Sequence, residues 1–241
     1  MITKWNSECD RRLHRLVCYI NSTLDMKQVA YVGDKFVDLV LRIYADSDFA
    51  GDKADSKSTS GVYVALHGPR SHVPTAAQAV KQPAVSHHTA ESELVALDVA
   101  VRKHGLPLMQ LLLAINGKDP IVLVEEDNAP AIIIVEKAKM NTIRHMNRTH
   151  RVDVRSLHDT FRRETTMQLR KIGTNDQAAD MFTKPFTNEE KWSAANAMIS
   201  QYSGGLEEAV KTTGKNKGNI YFGEAEALEA QRLRSEQECR S

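Results

Sequence analysis

The chain predicts an α/β fold: a five-stranded mixed sheet flanked by helices. Three observations carry this. Segments that alternate apolar and polar residues at every second position crowd the first third, and segments of helical period dominate the rest. The order along the chain is three strands, helix, strand, helix, helix, strand, helix, which puts helices on the faces of one sheet. Finally, Pro120–Val124 is a short continuous apolar run, the pattern of a strand buried on both faces.

A first helix is expected around Asp10–Thr23, where Leu13, Leu16, Val17 and Ile20 share a face. Phe36–Tyr44 alternates Val37, Leu39, Leu41 and Ile43 and predicts the first strand. A polar loop containing Gly51 leads to a second strand over Thr59–Leu66, and a third is expected within Ser71–Ala79. Thr89–His104 carries the helical period, with Gly105 and Pro107 as stop signals. Beyond the strand at Pro120–Val124, Asp127 and Asn128 introduce a helix that runs through Lys137. One basic helix is expected over Arg148–Glu164, then a last strand over Met167–Ile172. A closing helix over Asp176–Thr183 is capped by Thr174 or Asn175 and terminated by Pro185. A further helix reaches about Ile199. From Ser203 onward the chain is rich in Gly, Glu and Lys and reads as a flexible charged tail, with a marginal helix at Glu224–Glu238.

At 241 residues, 41% hydrophobic and 26% charged, the chain is long and apolar enough for a sizeable core. Its three cysteines, Cys9, Cys18 and Cys239, have no metal-ligand spacing and point to a reducing, intracellular setting. Lys4, Glu8, Asp10, Arg11 and Arg12 interrupt the start of the chain, so no signal peptide is expected, and no run predicts a membrane span. The net charge of +1 makes no global case for a nucleic-acid partner; its distribution says more, and reads either as a phosphate-binding stripe or as a solvated helix face. Between Glu136 and Lys171 stand ten Lys or Arg against four Asp or Glu, a local stripe of the kind that binds phosphates.

Among the acids, Asp46 ends the first predicted strand and Asp127 follows the fourth. Open α/β folds place ligands in the crevice beyond such strand ends. Taken singly, Asp46 reads equally as a loop acid, Asp127 as a helix N-cap and Asp180 as a surface acid. Glu93 differs. It falls inside the apolar arc formed by Ala90, Leu94, Leu97, Ala100 and Val101, whereas Glu91 points with Asp98 and Arg102 toward the polar side. A carboxylate that faces a core needs a cation or a donor, and a hard divalent ion or a core Glu–Arg salt bridge would serve.

Six blocks complete the picture: Tyr44-Ala-Asp-Ser-Asp-Phe-Ala-Gly-Asp52 with Ser56-Lys-Ser-Thr-Ser-Gly61; Thr89-Ala-Glu-Ser-Glu-Leu-Val-Ala-Leu97; Glu126-Asp-Asn128; Arg148-Thr-His-Arg-Val-Asp153; and Gln177-Ala-Ala-Asp-Met-Phe-Thr-Lys-Pro185. In their order and spacing they resemble the ribonuclease H domain of copia-type retrotransposon Pol polyproteins, over roughly residues 10–200. The resemblance implies a ribonuclease H-like fold over residues 35–186, preceded by a remnant (1–34) of the connection to a reverse transcriptase. A C-terminal helix (187–202) and the tail (203–241) follow. It implies Asp46, Glu93, Asp127 and Asp180 as catalytic, metal-binding residues for two Mg²⁺ ions, with Mn²⁺ as a substitute. In that scheme Asp46 bridges, Glu93 and Asp127 hold the leaving-group ion, and Asp180 holds the nucleophile-side ion.

The implied activity is cleavage of the RNA strand of an RNA–DNA hybrid. The implied setting is a Pol polyprotein with its reverse transcriptase, in cytoplasmic retroelement particles or the nucleus. The alternatives are an inactive or repurposed nucleic-acid-binding domain of the same fold, and a transposase- or integrase-like nuclease acting on DNA. Ser58, Thr59 and Ser60 are expected to offer hydroxyls near the nucleic-acid backbone. Arg148, Arg151 and Arg155, spaced to share one helix face, are expected to track phosphates, with Lys184 in the same role. Two departures stand beside the likeness: His87 and His88 replace small hydroxyl residues, and Ala76 and Ala77 stand where a Trp is usual. The adjacent histidines raise a zinc reading, against which neighbouring residues rarely converge on one ion.

Overall fold

The computed structural model describes residues 5–138, 145–204 and 207–209. In chain order its elements are α1 (Ser7–Ser22), β1 (Lys27–Gln28), β2 (Val40–Asp48), β3 (Thr59–Gly68), β4 (Ser71–Lys81), α2 (Thr89–Val99) and α3 (Leu106–Asn116). There follow β5 (Val122–Glu126), α4 (Ala129–Lys137), α5 (Met146–Thr149), α6 (Val154–Arg163), β6 (Met167–Lys171), α7 (Glu189–Met198) and β7 (Gln201–Tyr202). The predicted sheet is present, with strand order β4-β3-β2-β5-β6. The first three strands form an antiparallel meander, while β5 and β6 run parallel to β2. This mixed, helix-flanked five-stranded sheet is the α/β fold class expected above.

The two faces of the sheet are covered differently. Leu41, Ile43, Ala45, Val62, Val64, Val122 and Val124 pack with Leu94, Leu97, Val101, Met109, Val135 and Leu157 from the helices. On the other face, Tyr44, Tyr63 and Ala65 pack against Ala178, Ala179 and Ile199. Central strands are therefore covered on both sides, which explains the unbroken burial of β5.

Several predicted boundaries move. Phe36–Asp38 forms a 3₁₀ turn and β2 begins at Val40, so Asp46 lies within the strand and not at its end. The third strand is longer than expected. Pro74 is accommodated because β4 is an edge strand and a bulge opens opposite Val64 and Ala65, where the Thr75 hydroxyl donates to the Val64 carbonyl at 2.9 Å.

The expected stop at Gly105 and Pro107 is overturned. Helical winding continues through a π-helical stretch, Ala100–Gly105, into α3, and ends at Gly117 in the left-handed conformation (φ 68°). Within the stretch the Leu106 N–H donates to the Val101 carbonyl, five residues back. That widened turn carries Pro107 into the first turn of α3, where a missing N–H costs little. Gly105 serves contact rather than termination, since a Cβ there would lie 2.9 Å from Ile43 Cδ1.

The single basic helix is likewise two, α5 and α6, separated at Arg151, whose φ is 59°. Asp153 caps α6 by accepting from the Arg155 and Ser156 N–H groups. The closing helix is instead two 3₁₀ turns, Thr174–Asp176 and Ala178–Phe182. Residues 27–34, placed with the N-terminal connection by sequence, are attached to the sheet body. β1 pairs antiparallel with β7, Tyr31 bridges His72, and Asp34 accepts from the Arg70 N–H and the Ser71 hydroxyl. In α1, by contrast, none of the predicted apolar face is buried. Most of the charged tail, including Glu224–Glu238, lies outside the described residues. Among the described residues no helix is long and apolar enough to cross a membrane.

Candidate metal centre

Three of the four predicted carboxylates converge. One oxygen each from Asp46, Glu93 and Asp127 lies within 4.8 Å of the others. Asp46 comes from the C-terminal part of β2, opposite Gly61 of β3. Glu93 comes from the first turns of α2, whose N-cap is His88, with Nδ1 accepting from the Glu91 N–H at 3.2 Å. Asp127 follows β5. Asn128 takes the N-cap duty for α4, accepting from the Ala131 N–H at 3.0 Å. Asp127 is thereby left without a capping role, and the capping alternative for it falls away.

Asp180 stands beside this trio but outside it, on the turn Ala178–Phe182 that crosses the other face of the sheet. Gly61 permits that crossing: a Cβ there would lie 2.6 Å from Thr183 Cγ2 and 2.9 Å from the Ala179 carbonyl oxygen. The turn is also tied down by Gln177, which is buried and donates to the Ala45 carbonyl at 2.9 Å. As a result Asp46 has two further neighbours. Thr183 donates its hydroxyl to Oδ2, and Lys184 Nζ lies 3.3 Å from Oδ1 and 2.6 Å from Asp180 Oδ1.

The electrostatics are those of too many acids in too little solvent. Burial first, then the charges of Glu126, Asp46 and Asp127, push Glu93 up to about 10, although the Ser47 hydroxyl offsets part of this. Burial likewise raises Asp46 to about 6, against the opposing pull of Thr183 and Lys184. Asp180 is raised by burial despite its bond to Lys184. Lys184 is itself raised: burial disfavours its charge, but the bond to Asp180 and the field of Asp46 outweigh that.

Glu126 escaped the sequence reading. It is fully buried, raised by burial and by its acidic neighbours, and has one oxygen bonded to the Asn128 N–H at 3.0 Å. The other oxygen, like Glu93 Oε2, has no hydrogen-bond partner among the described residues. The available signal was a pair of acids, Glu125 and Glu126, following a strand read as buried on both faces. Buried, mutually repelling carboxylates with unpartnered oxygens fit a hard divalent cation. The core Glu–Arg alternative is not what Glu93 adopts; that bond belongs to Arg42 and Glu125, 2.7 Å apart and buried.

Other predicted residues are placed differently from expectation. The Ser58 and Ser60 hydroxyls are buried and bonded internally, accepting from the Ala50 N–H at 3.1 Å and from Gln82 Nε2 at 3.0 Å. Ser58 braces the β2–β3 loop, and Ser60 ties β3 to Gln82 just beyond β4. Thr59 is half-buried, and its N–H is held by Asp48. Arg148, Arg151 and Arg155 are exposed but do not share a helix face, because the chain breaks between α5 and α6. Lys184 turns inward to the carboxylates.

Glu91 is corrected as well. It is fully buried, because residues 145–150 close over that side of α2. Its carboxylate accepts from the His87 N–H at 2.7 Å and lies 2.9 and 3.1 Å from Nε2 of His145 and His150. Burial works against its charge, but the His87 N–H and the His145 ring together hold it below the usual range. His87 and His88 do not converge on a common site: His88 caps α2 and His87 packs edge-on against His145.

No protein-family model matches the chain. Among solved structures, the chain is similar to the solution structure of the PFV RNase H domain, with a TM-score of 0.40 and 13% identity, covering 67% of this chain and 92% of that one. It is also similar to the crystal structure of the NurA nuclease from Sulfolobus solfataricus, with a TM-score of 0.33 and 8% identity, covering 95% of this chain and 94% of that one.

Proposed function

We propose that this protein is a metal-dependent nuclease that cleaves the RNA strand of RNA–DNA hybrids. The observation that carries the reading is the convergence of Asp46, Glu93 and Asp127 from three separate elements onto one point. A fold gains little in stability from crowding mutually repelling, largely buried acids, so their company points to a cationic ligand. Mg²⁺ suits all-oxygen donors that also meet phosphate, with Mn²⁺ as a substitute. When bound, such an ion neutralises charge on the scissile phosphate and supplies Lewis acidity.

The chain's own residues do the rest. Asp46, fixed in the central strand, and Asp127, freed from capping, hold their oxygens toward the shared point. Glu93 approaches from α2 and would join them in holding the ion. Exposed Arg148, Arg151 and Arg155 remain candidates for phosphate contacts, as separate points rather than one stripe. Discrimination of a hybrid from duplex DNA would rest on helix shape and 2′-hydroxyls. On the same reading the domain derives from a copia-type Pol polyprotein, with a reverse transcriptase as its partner.

The test is cleavage of a labelled RNA–DNA hybrid by purified protein in Mg²⁺, beside Asp46→Asn and Asp127→Asn and beside duplex DNA. Cleavage of the hybrid alone, lost in both variants, is expected. Undiminished activity in either variant would sink the scheme, and cleavage of duplex DNA instead would favour the transposase-like reading. Binding without cleavage, steep in salt, would mark the repurposed domain.

A further inference from the structure

We propose that Lys184 is a built-in cation of the carboxylate centre, standing where a two-ion scheme would put its second divalent ion. The inference rests on the metal-dependent reading of the Asp46–Glu93–Asp127 trio and deepens it.

Asp46 belongs to the trio, and both its oxygens also have partners on the turn that follows Gln177. Oδ2 accepts the Thr183 hydroxyl, and Oδ1 lies 3.3 Å from Lys184 Nζ. The same ammonium is 2.6 Å from Asp180 Oδ1, so one positive charge contacts both of the aspartates that the family resemblance assigns to a second ion. The trio whose oxygens approach within 4.8 Å does not include Asp180.

Lys184 is positioned by backbone as well as by charge. Its N–H donates to the Asp180 carbonyl at 2.9 Å, closing the turn. The turn is pressed onto β3 at Gly61, where no side chain could intervene. The lysine is half-buried. An ammonium has three donors around a compact charge, enough to serve two carboxylates and keep one N–H for a phosphate oxygen. It can therefore supply the charge neutralisation of a second ion without the ligand exchange that a free ion requires.

The experiment is a Mn²⁺ titration of the full chain, followed by calorimetry and by the electron paramagnetic resonance signal of free Mn²⁺. Wild type, Lys184→Met, Lys184→Arg and Asp127→Asn are compared, with circular dichroism as the check on folding. The expected result is one ion bound by wild type and by Lys184→Arg, two by Lys184→Met, and none by Asp127→Asn. The Mg²⁺ dependence of hybrid cleavage should steepen from first order to second order in Lys184→Met. Two ions on wild type overturn the inference while leaving the nuclease reading intact, whatever the variants do. A folded Lys184→Met that still binds one ion overturns it too. No ion on wild type overturns both.

Discussion

Replacing Gly61 by Ala tests how the centre is assembled. In β3 the residue lies opposite Asp46, and the turn bearing Asp180, Thr183 and Lys184 rests directly on it. A new Cβ would stand 2.6 Å from Thr183 Cγ2, 2.9 Å from the Ala179 carbonyl oxygen and 3.2 Å from Phe182 Cβ. Alanine in a strand gains ~0.5–1 kcal/mol over glycine through backbone entropy. Overpacking of this kind costs ~1–3 kcal/mol, and the upper part of that range applies because one contact is to backbone that cannot rotate aside. The net expectation is a loss of ~1–2 kcal/mol in urea melts, together with weaker engagement of Asp46 by the displaced turn. Combining Gly61→Ala with Thr183→Ser removes the methyl that clashes first and should recover part of the stability. A Gly61→Ala protein as stable as wild type, with unchanged Mn²⁺ binding, would refute the claim that close contact at this residue builds the site.

Three further outcomes are expected. Burial lowers His72 to about 4 from 6.5, so the folded protein binds fewer protons than the unfolded chain between those values. Stability from this group is present above pH 6.5 and is lost as pH falls toward 4. At ~1.4 kcal/mol per unit the loss is roughly 3 kcal/mol, and urea midpoints of His72→Gln should show a shallower acid decline than wild type. Removing one partner of the buried Arg42–Glu125 pair, as in Glu125→Ala, should cost ~3–5 kcal/mol in urea melts, whereas Arg42→Met with Glu125→Leu should fall near wild type. Glu91→Ala should cost ~1–3 kcal/mol because it unpairs His87 N–H and the two histidine rings, while Asp98→Ala, whose Arg102 partner is partly exposed, should stay within ~1 kcal/mol.

The strands and the identity of the acids were legible because both leave local traces. Period-2 alternation marks a strand at any position in a fold, and Glu93 betrays itself by falling in an apolar arc of its own helix. The helix that follows Asp127 and Asn128 was readable for the same reason: a start signal acts over a few residues. The errors share an opposite cause. Gly105 and Pro107 look like a helix end, and only the contact with Ile43 and the widened π turn make them part of a continuous one. Glu91 looks exposed on a helical wheel, because a wheel cannot include His145 and His150 arriving from more than fifty residues away. Ser58 and Ser60 look available until Gln82 and the β2–β3 loop take up their hydroxyls.

By itself, then, the sequence determined which residues could make a metal centre and on which elements they ride. Tertiary structure alone decided the grouping. It drew Asp46, Glu93 and Asp127 together, set Asp180 aside, and turned Lys184 from a surface cation into the partner of two aspartates. The physical reason is range: periodicity and capping are written within a turn or two of chain, whereas a carboxylate's neighbours are set by whichever distant strands and turns the core brings against it.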